Sequence, residues 1–155
     1  MNSTDVIAAM LECTLDPACV LDHEGRIIAC NPLMRNFLKL KPRELLKRPI
    51  FCDLVKLSIC KEQCQIIDGI HKKKIVRADE SPSSLGVSKY RLTLKGTPYP
   101  SNGNPGMILT LRDTSAETIL QAKYHKLQHL LEEEKRKNED MRERMRRSAM
   151  AHLTK

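Results

Sequence analysis

The residues from Val20 to Leu38 constrain this chain more than any others, because they prescribe strand, tight turn, strand and an abruptly entered helix. In Asp22-His23-Glu24-Gly25 the Asp favours the first position of a type I turn, and the Gly tolerates positive φ near its end. Val20-Leu21 and Ile27-Ile28 flank the turn as short β-favouring runs, which predicts a hairpin. Asn31 is a good N-cap, and Pro32 stands at the first helical position, where its missing N–H costs nothing. Leu33, Met34, Phe37 and Leu38 then give that helix an apolar face.

On the N-terminal side, residues 3–13 read as an amphipathic helix, with cap-type Ser3, Thr4 and Asp5 before Val6, Ile7, Met10 and Leu11 on one face. Asp16-Pro17 ends it. Beyond Leu40, the Pro42–Leu46 stretch starts a short turn of helix that Pro49 interrupts, and residues 50–57 predict another short helix. Residues 60–72 place Cys64, Ile66, Ile67 and Ile70 at helical spacing. The period then changes: Lys74–Ala78, Tyr90–Leu94 and Met107–Leu111 are β-favouring runs, separated by loop signals at Ser81–Ser84 and Pro100–Gly106. A length of 155 residues fits one compact domain with an appendage.

This order of elements, with Gly25 and Asn31-Pro32 in place, resembles the PAS sensor domain. Leu111-Arg112-Asp113-Thr114-Ser115 is similar to the Asp-Ile-Thr type motif that closes such a domain and opens a signalling helix, with Thr114 for the usual aliphatic residue and Ser115 for the usual Thr. The resemblance covers roughly residues 5–115 and implies an α+β fold, a five-stranded antiparallel sheet with flanking helices, followed by a long C-terminal coiled-coil helix. It divides the chain into an N-terminal helix at 1–16, the PAS domain at 17–115 and the signalling helix at 116–155. It also implies a signal-input module and not an enzyme, relaying through Asp113 and Thr114 to an output domain beyond Lys155, of histidine-kinase or diguanylate-cyclase type.

From Ala116 to the end there is neither Gly nor Pro. Tyr124, Leu131, Asn138 and Met145 fall at a positions of a heptad, and Leu120, Leu127, Glu134, Met141 and Ser148 at d. A lone helix of about 35 residues would span roughly 50 Å with a narrow apolar stripe left wet. A second copy covers the stripe, and Asn138 at a favours a parallel homodimer in fixed register. The alternative is a solvated helix, given the dense charge from Glu132 to Arg147.

Cys52-x7-Cys60-x3-Cys64 is the candidate site. If helical, Cys60 and Cys64 stand one turn apart, and Cys52 can fold back to them. Three converging thiolates suit zinc or an iron–sulfur cluster. The spacing resembles a PAS subgroup of bacterial signal-transduction regulators with a cysteine triplet in this region, for which the resemblance implies redox or metal sensing. A fourth ligand is unspecified among Cys30, Cys19 and His71, with Cys30 preferred. The competing reading is that free cysteines are small, buried, apolar side chains, and the whole is a ligand-free dimerisation module.

Other functions find little footing. The formal charge of +8 is spread along the chain, and five aromatics without Trp give no stacking platform for nucleic acid. No apolar run is long enough to span a membrane and residues 1–11 lack a signal-peptide pattern, so a cytoplasmic location is the expectation. Phosphate-loop, zinc-protease and serine-hydrolase motifs are missing. Haem through His71 is disfavoured, since Lys72-Lys73-Lys74 after it marks an exposed helix end. The cysteine motif of flavin-binding light sensors is absent, and His152 lacks the flanking residues of a phosphoacceptor.

Overall fold

A computed structural model of the chain describes the backbone of residues 3–101 and 103–153, and within these the side chains other than those of residues 3–5, 80, 100 and 101. The cap-type side chains of Ser3, Thr4 and Asp5 and the loop residue Asn102 therefore lie outside the described residues. In chain order the elements are α1 (Ser3–Glu12), β1 (Ala18–Leu21), β2 (Ile27–Cys30), α2 (Pro32–Leu38), α3 (Pro42–Leu45), α4 (Phe51–Leu54) and β3 (Lys56–Leu57). A 3-10 turn (Ser58–Cys60) leads to α5 (Gln65–His71), β4 (Val76–Leu85), β5 (Ser88–Ser101), β6 (Asn104–Asp113) and α6 (Ser115–Leu153). The chain divides into two compact units, Met1–Ser115 and Ala116–Lys155.

In the first unit the strands form one antiparallel sheet in the order β2-β1-β6-β5-β4-β3. The turn between β1 and β2 closes as its residues dictate. Gly25 donates its N–H to Asp22 O at 3.0 Å with φ at 77°, and Asp22 Oδ1 accepts from the amides of Glu24 and Arg26. Asn31 caps α2 by accepting from Met34 N at 2.9 Å. Its side chain does more than the sequence pattern requires: Oδ1 also accepts from Ala18 N, while Nδ2 donates to Leu11 O, Thr14 Oγ1 and Asp16 O. One buried amide thus ties the end of α1, the start of β1 and the start of α2 together.

The sheet has six strands where the resemblance implied five. The sixth is β3, a two-residue strand pairing Lys56 with Ser84 and Leu57 with Ser83, so the predicted helix at 50–57 stops at Leu54. The predicted loops at Ser81–Ser84 and Pro100–Gly106 are mostly strand, with β5 and β6 paired out to Ser101 and Asn104. Pro82 is tolerated in β4 because β3 covers only Ser83 and Ser84, which leaves β4 an edge at Pro82. A register shift between Ala78 and Ser81 absorbs the irregularity.

Between helices and sheet the interior is filled. Met34, Phe51, Ile66, Ile70, Leu94 and Met107 are all essentially without exposure and belong to one apolar cluster. α5 lies close on the sheet because Gly69 faces Val76 and Met107, and Gly96 on β5 leaves the space that Met107 occupies.

The second unit is α6 alone, 39 residues with no buried side chain. Leu120, Tyr124, Leu127, Leu131, Met141 and Met145 are each more than half exposed along it. On its surface the side chains of His129 and Glu133 meet at i,i+4 spacing, as do Arg147 and Glu143, which form an ion pair. Among the described residues no helix is long and apolar enough to cross a membrane.

Candidate metal centre

Three neighbouring elements deliver three sulfurs to one place. Cys52 comes from α4, Cys60 from the 3-10 turn, and Cys64 from the residue that starts α5. Their Sγ atoms all lie within 4.8 Å of one another, and Cys52 and Cys64 approach to 3.0 Å. The triplet converges, but by a route other than the expected one. Residues 60–72 are not one helix: Cys60 sits in the 3-10 turn and Cys64 precedes α5, so the irregular chain from Lys61 to Gln63 brings Cys60 back, not a shared helical face.

All three thiols are half-buried, and they cannot share one ordinary ionisation. Contact with the Cys52 and Cys60 thiols, helped by the amides of Ile67 and Ile66, stabilises the Cys64 thiolate and draws its pKa down to about 2. Cys52 is held far above an ordinary thiol by the Cys60 and Cys64 sulfurs and by burial. For Cys60, contact with Cys52 favours the thiolate, but the Cys64 sulfur and burial outweigh it and raise the pKa. The cluster therefore holds one negative charge that neighbouring S–H groups hydrogen-bond.

Tetrahedral zinc with bonds near 2.3 Å sets its sulfurs about 3.8 Å apart. A triplet contained within 4.8 Å, with Cys52 and Cys64 at 3.0 Å, is within about 1 Å of that arrangement, so the donor set fits a thiophilic ion. The preferred fourth ligand does not join it. Cys30 is paired across the hairpin with Cys19, a position fixed by the β1–β2 register, and burial raises both thiols. His71 is equally distant in role, its Nε2 in contact with His23 O at 3.1 Å on an exposed surface. Cys13 is exposed. Among the described residues three sulfurs gather there, so a tetrahedral ion held by them would keep a fourth position for an outside ligand.

A groove of about 740 Å3 runs behind this segment, lined by Lys61, Gln63, Asp68, Lys74 and Arg77 among others. None of the three cysteines lines it, although the chain neighbours of Cys60 and Cys64 do.

Where β6 ends, Thr114 and Ser115 are clasped to Arg91 of β5. Thr114 donates both its N–H, at 2.8 Å, and its hydroxyl, at 3.1 Å, to Arg91 O. Ser115 Oγ accepts from Arg91 N at 2.8 Å, and Asp113 Oδ1 accepts from Ser115 N at 2.9 Å. Asp113 and Thr114, the positions expected to relay a signal, form a hydrogen-bonded junction. The role of Ser115 in it was not singled out from sequence, although a hydroxyl at the start of a helix is the available signal. Leu120, Tyr124, Leu127, Leu131 and Asn138 all lie exposed on α6.

No family model matches the sequence, and no curated protein matches it either. Solved structures do. The PAS domain of the fruit-fly ELK potassium channel superposes with a TM-score of 0.60 at 10% identity, over 74% of this chain and 99% of that one. The PAS domain of Bordetella pertussis BvgS gives 0.55 at 17% identity, over 83% and 98%. That of nitrogen regulation protein NR(II) from Vibrio parahaemolyticus gives 0.55 at 11%, over 70% and 97%. Strand order, filled core and these superpositions agree: the chain has the PAS fold, continued by a long helix, and carries a cysteine triplet on its α4–α5 segment.

Proposed function

We propose that this chain is a signal-input module whose cue acts at Cys52, Cys60 and Cys64, where zinc or an iron–sulfur cluster binds. The observation that carries this reading is the meeting of three sulfurs within 4.8 Å beside an interior already filled by side chains. The packed cluster from Met34 to Met107 occupies the space between α2, α4, α5 and the sheet, and the groove of about 740 Å3, which has room for a small ligand, is lined by no cysteine. The thiols remain as the chemically distinctive group. PAS domains from a two-component sensor histidine kinase and from BvgS have the same fold, which supports a role in signalling.

In this reading a bound metal spreads Cys64 from Cys52 and shifts the start of α5. Ile66 and Ile70 are fully buried on α5, and Gly69 lies against Met107 of β6. The displacement therefore reaches β6, which ends at Asp113, and then the Arg91 clasp at the root of α6. The exposed stripe of α6 pairs in parallel with a second copy, and an output domain follows it. Packings that differ by a few kcal/mol suffice for such a switch.

Purification without oxygen, with elemental analysis and a visible spectrum, tests the site. Stoichiometric zinc, or a broad charge-transfer band with iron and sulfide, is expected, and Cys→Ser at all three positions should abolish it. A colourless protein that takes up neither metal overturns the reading and leaves a ligand-free dimerisation module, for which the filled interior is the supporting observation.

A further inference from the structure

We propose that Cys52 and Cys64 form a thiol–disulfide switch: a small disulfide of the glutathione type oxidises this pair to an intramolecular bond and leaves Cys60 as a thiol. The inference deepens the metal reading, and rests on it only for one consequence, that oxidation removes two of three ligands and empties the centre.

A disulfide bond is about 2.05 Å long, and the two sulfurs stand at 3.0 Å. About 1 Å of approach closes the bond, and a similar separation opens the pair to the spacing of thiolates on zinc. The site is poised between the two. Cys60 also lies within 4.8 Å of both sulfurs and touches the group electrostatically, but the 3.0 Å hydrogen-bonded approach is that of Cys52 and Cys64. The approach need not break a strand ladder, since Cys64 follows an irregular stretch and α4 is only four residues long. Half-burial admits a small oxidant, whereas Cys19 is fully enclosed and Cys13 is isolated at the surface.

The chemistry balances with the oxidant named. One thiolate of the pair attacks a sulfur of RSSR, the S–S bond breaks, and RS⁻ leaves a mixed disulfide. The second thiolate attacks the protein sulfur of that mixed disulfide and expels the second RS⁻. The pair brings one proton, on Cys52, which ends on one RSH; the other RS⁻ takes its proton from water, and the two electrons of the protein pair reduce RSSR.

Trypsin reads the outcome directly, because cleavage after Lys56 and Lys61 puts Cys52, Cys60 and Cys64 on three separate peptides. The metal-free chain is incubated with glutathione disulfide, alkylated, digested and mapped, and zinc uptake is titrated before and after. The expected result is a linked pair of the Cys52 and Cys64 peptides, an alkylated Cys60, and zinc uptake falling from about one per chain to none. Cys60→Ser should leave the link intact. A dominant link through Cys60, or a 60–64 link forming as fast in Cys52→Ser, overturns the switch. So does a chain whose three thiols stay alkylatable. If the link forms but the reduced chain takes no zinc, the metal reading fails and the switch stands. If zinc binds but no link forms, the reverse holds.

Discussion

Three thiols confined within 4.8 Å divide their protons unequally, and the division sets how the centre responds to pH. Cys64, with its pKa drawn down to about 2, is a thiolate throughout the neutral range and has no proton to lose when a metal arrives. Cys52 and Cys60 are shifted the other way and enter as thiols. Zinc binding should therefore release about two protons, and apparent affinity should rise about a hundredfold per pH unit between about pH 6 and 8. A competition titration at three pH values measures the slope. A slope near three would mean that Cys64 is an ordinary thiol. The spacing of the cysteines made their meeting legible in the sequence, but the division of protons depends on which sulfurs touch. The misassignment of Cys30 has the same origin: a strand register pairs it with Cys19, and nothing in local spacing states a register.

Among the elements, α6 is the one whose chemistry was plainest in sequence, since long freedom from Gly and Pro with apolar residues at alternating three and four steps has few other outcomes. Its exposed Leu127 and Leu131 would sit at the proposed dimer seam. Leu131→Glu should weaken self-association by at least about a hundredfold, by placing a charge at a buried a position. Asn138→Leu should instead raise the melting temperature while loosening register, seen as mixed antiparallel and parallel cross-links. Sedimentation velocity that shows an unchanged monomer for the parent chain and both variants would remove the dimer. The strands were less legible than α6. Pro82 and the serines around it carry loop signals, yet they pair with Arg91 and its neighbours because a two-residue edge strand asks little of their backbone. Local composition records turn chemistry well at Asp22–Gly25, where side chain and backbone agree, and poorly where tertiary pairing overrides preference.

For the whole molecule, α5 comes close to the sheet at Gly69, where an added methyl would run into Val76 Cγ2 and stand 3.3 Å from both Lys74 O and Met107 Cε. Gly69→Ala gains about 0.5–1 kcal/mol of helix preference but incurs about 1–3 kcal/mol of overpacking. The net effect should be a loss of roughly 1–2 kcal/mol in urea unfolding. Adding Val76→Ala should return part of it, because the two substitutions share one space. Equal losses that simply add would show that the contact does not limit the packing of α5. The same closeness is why the interior has no room to spare, and why the chemistry lies at the margin of the fold.

All three sulfurs are supplied between residues 52 and 64, on a segment that contributes only two residues to the sheet. The centre is thus a portable cassette. A chain with the same strand order could acquire or shed it by changing three side chains, with its scaffold undisturbed. Shared architecture then says nothing about whether a given relative is equipped to bind metal. The spacing of the cysteines, not the resemblance of the strands, is what to look for when asking which other chains would share the proposed site.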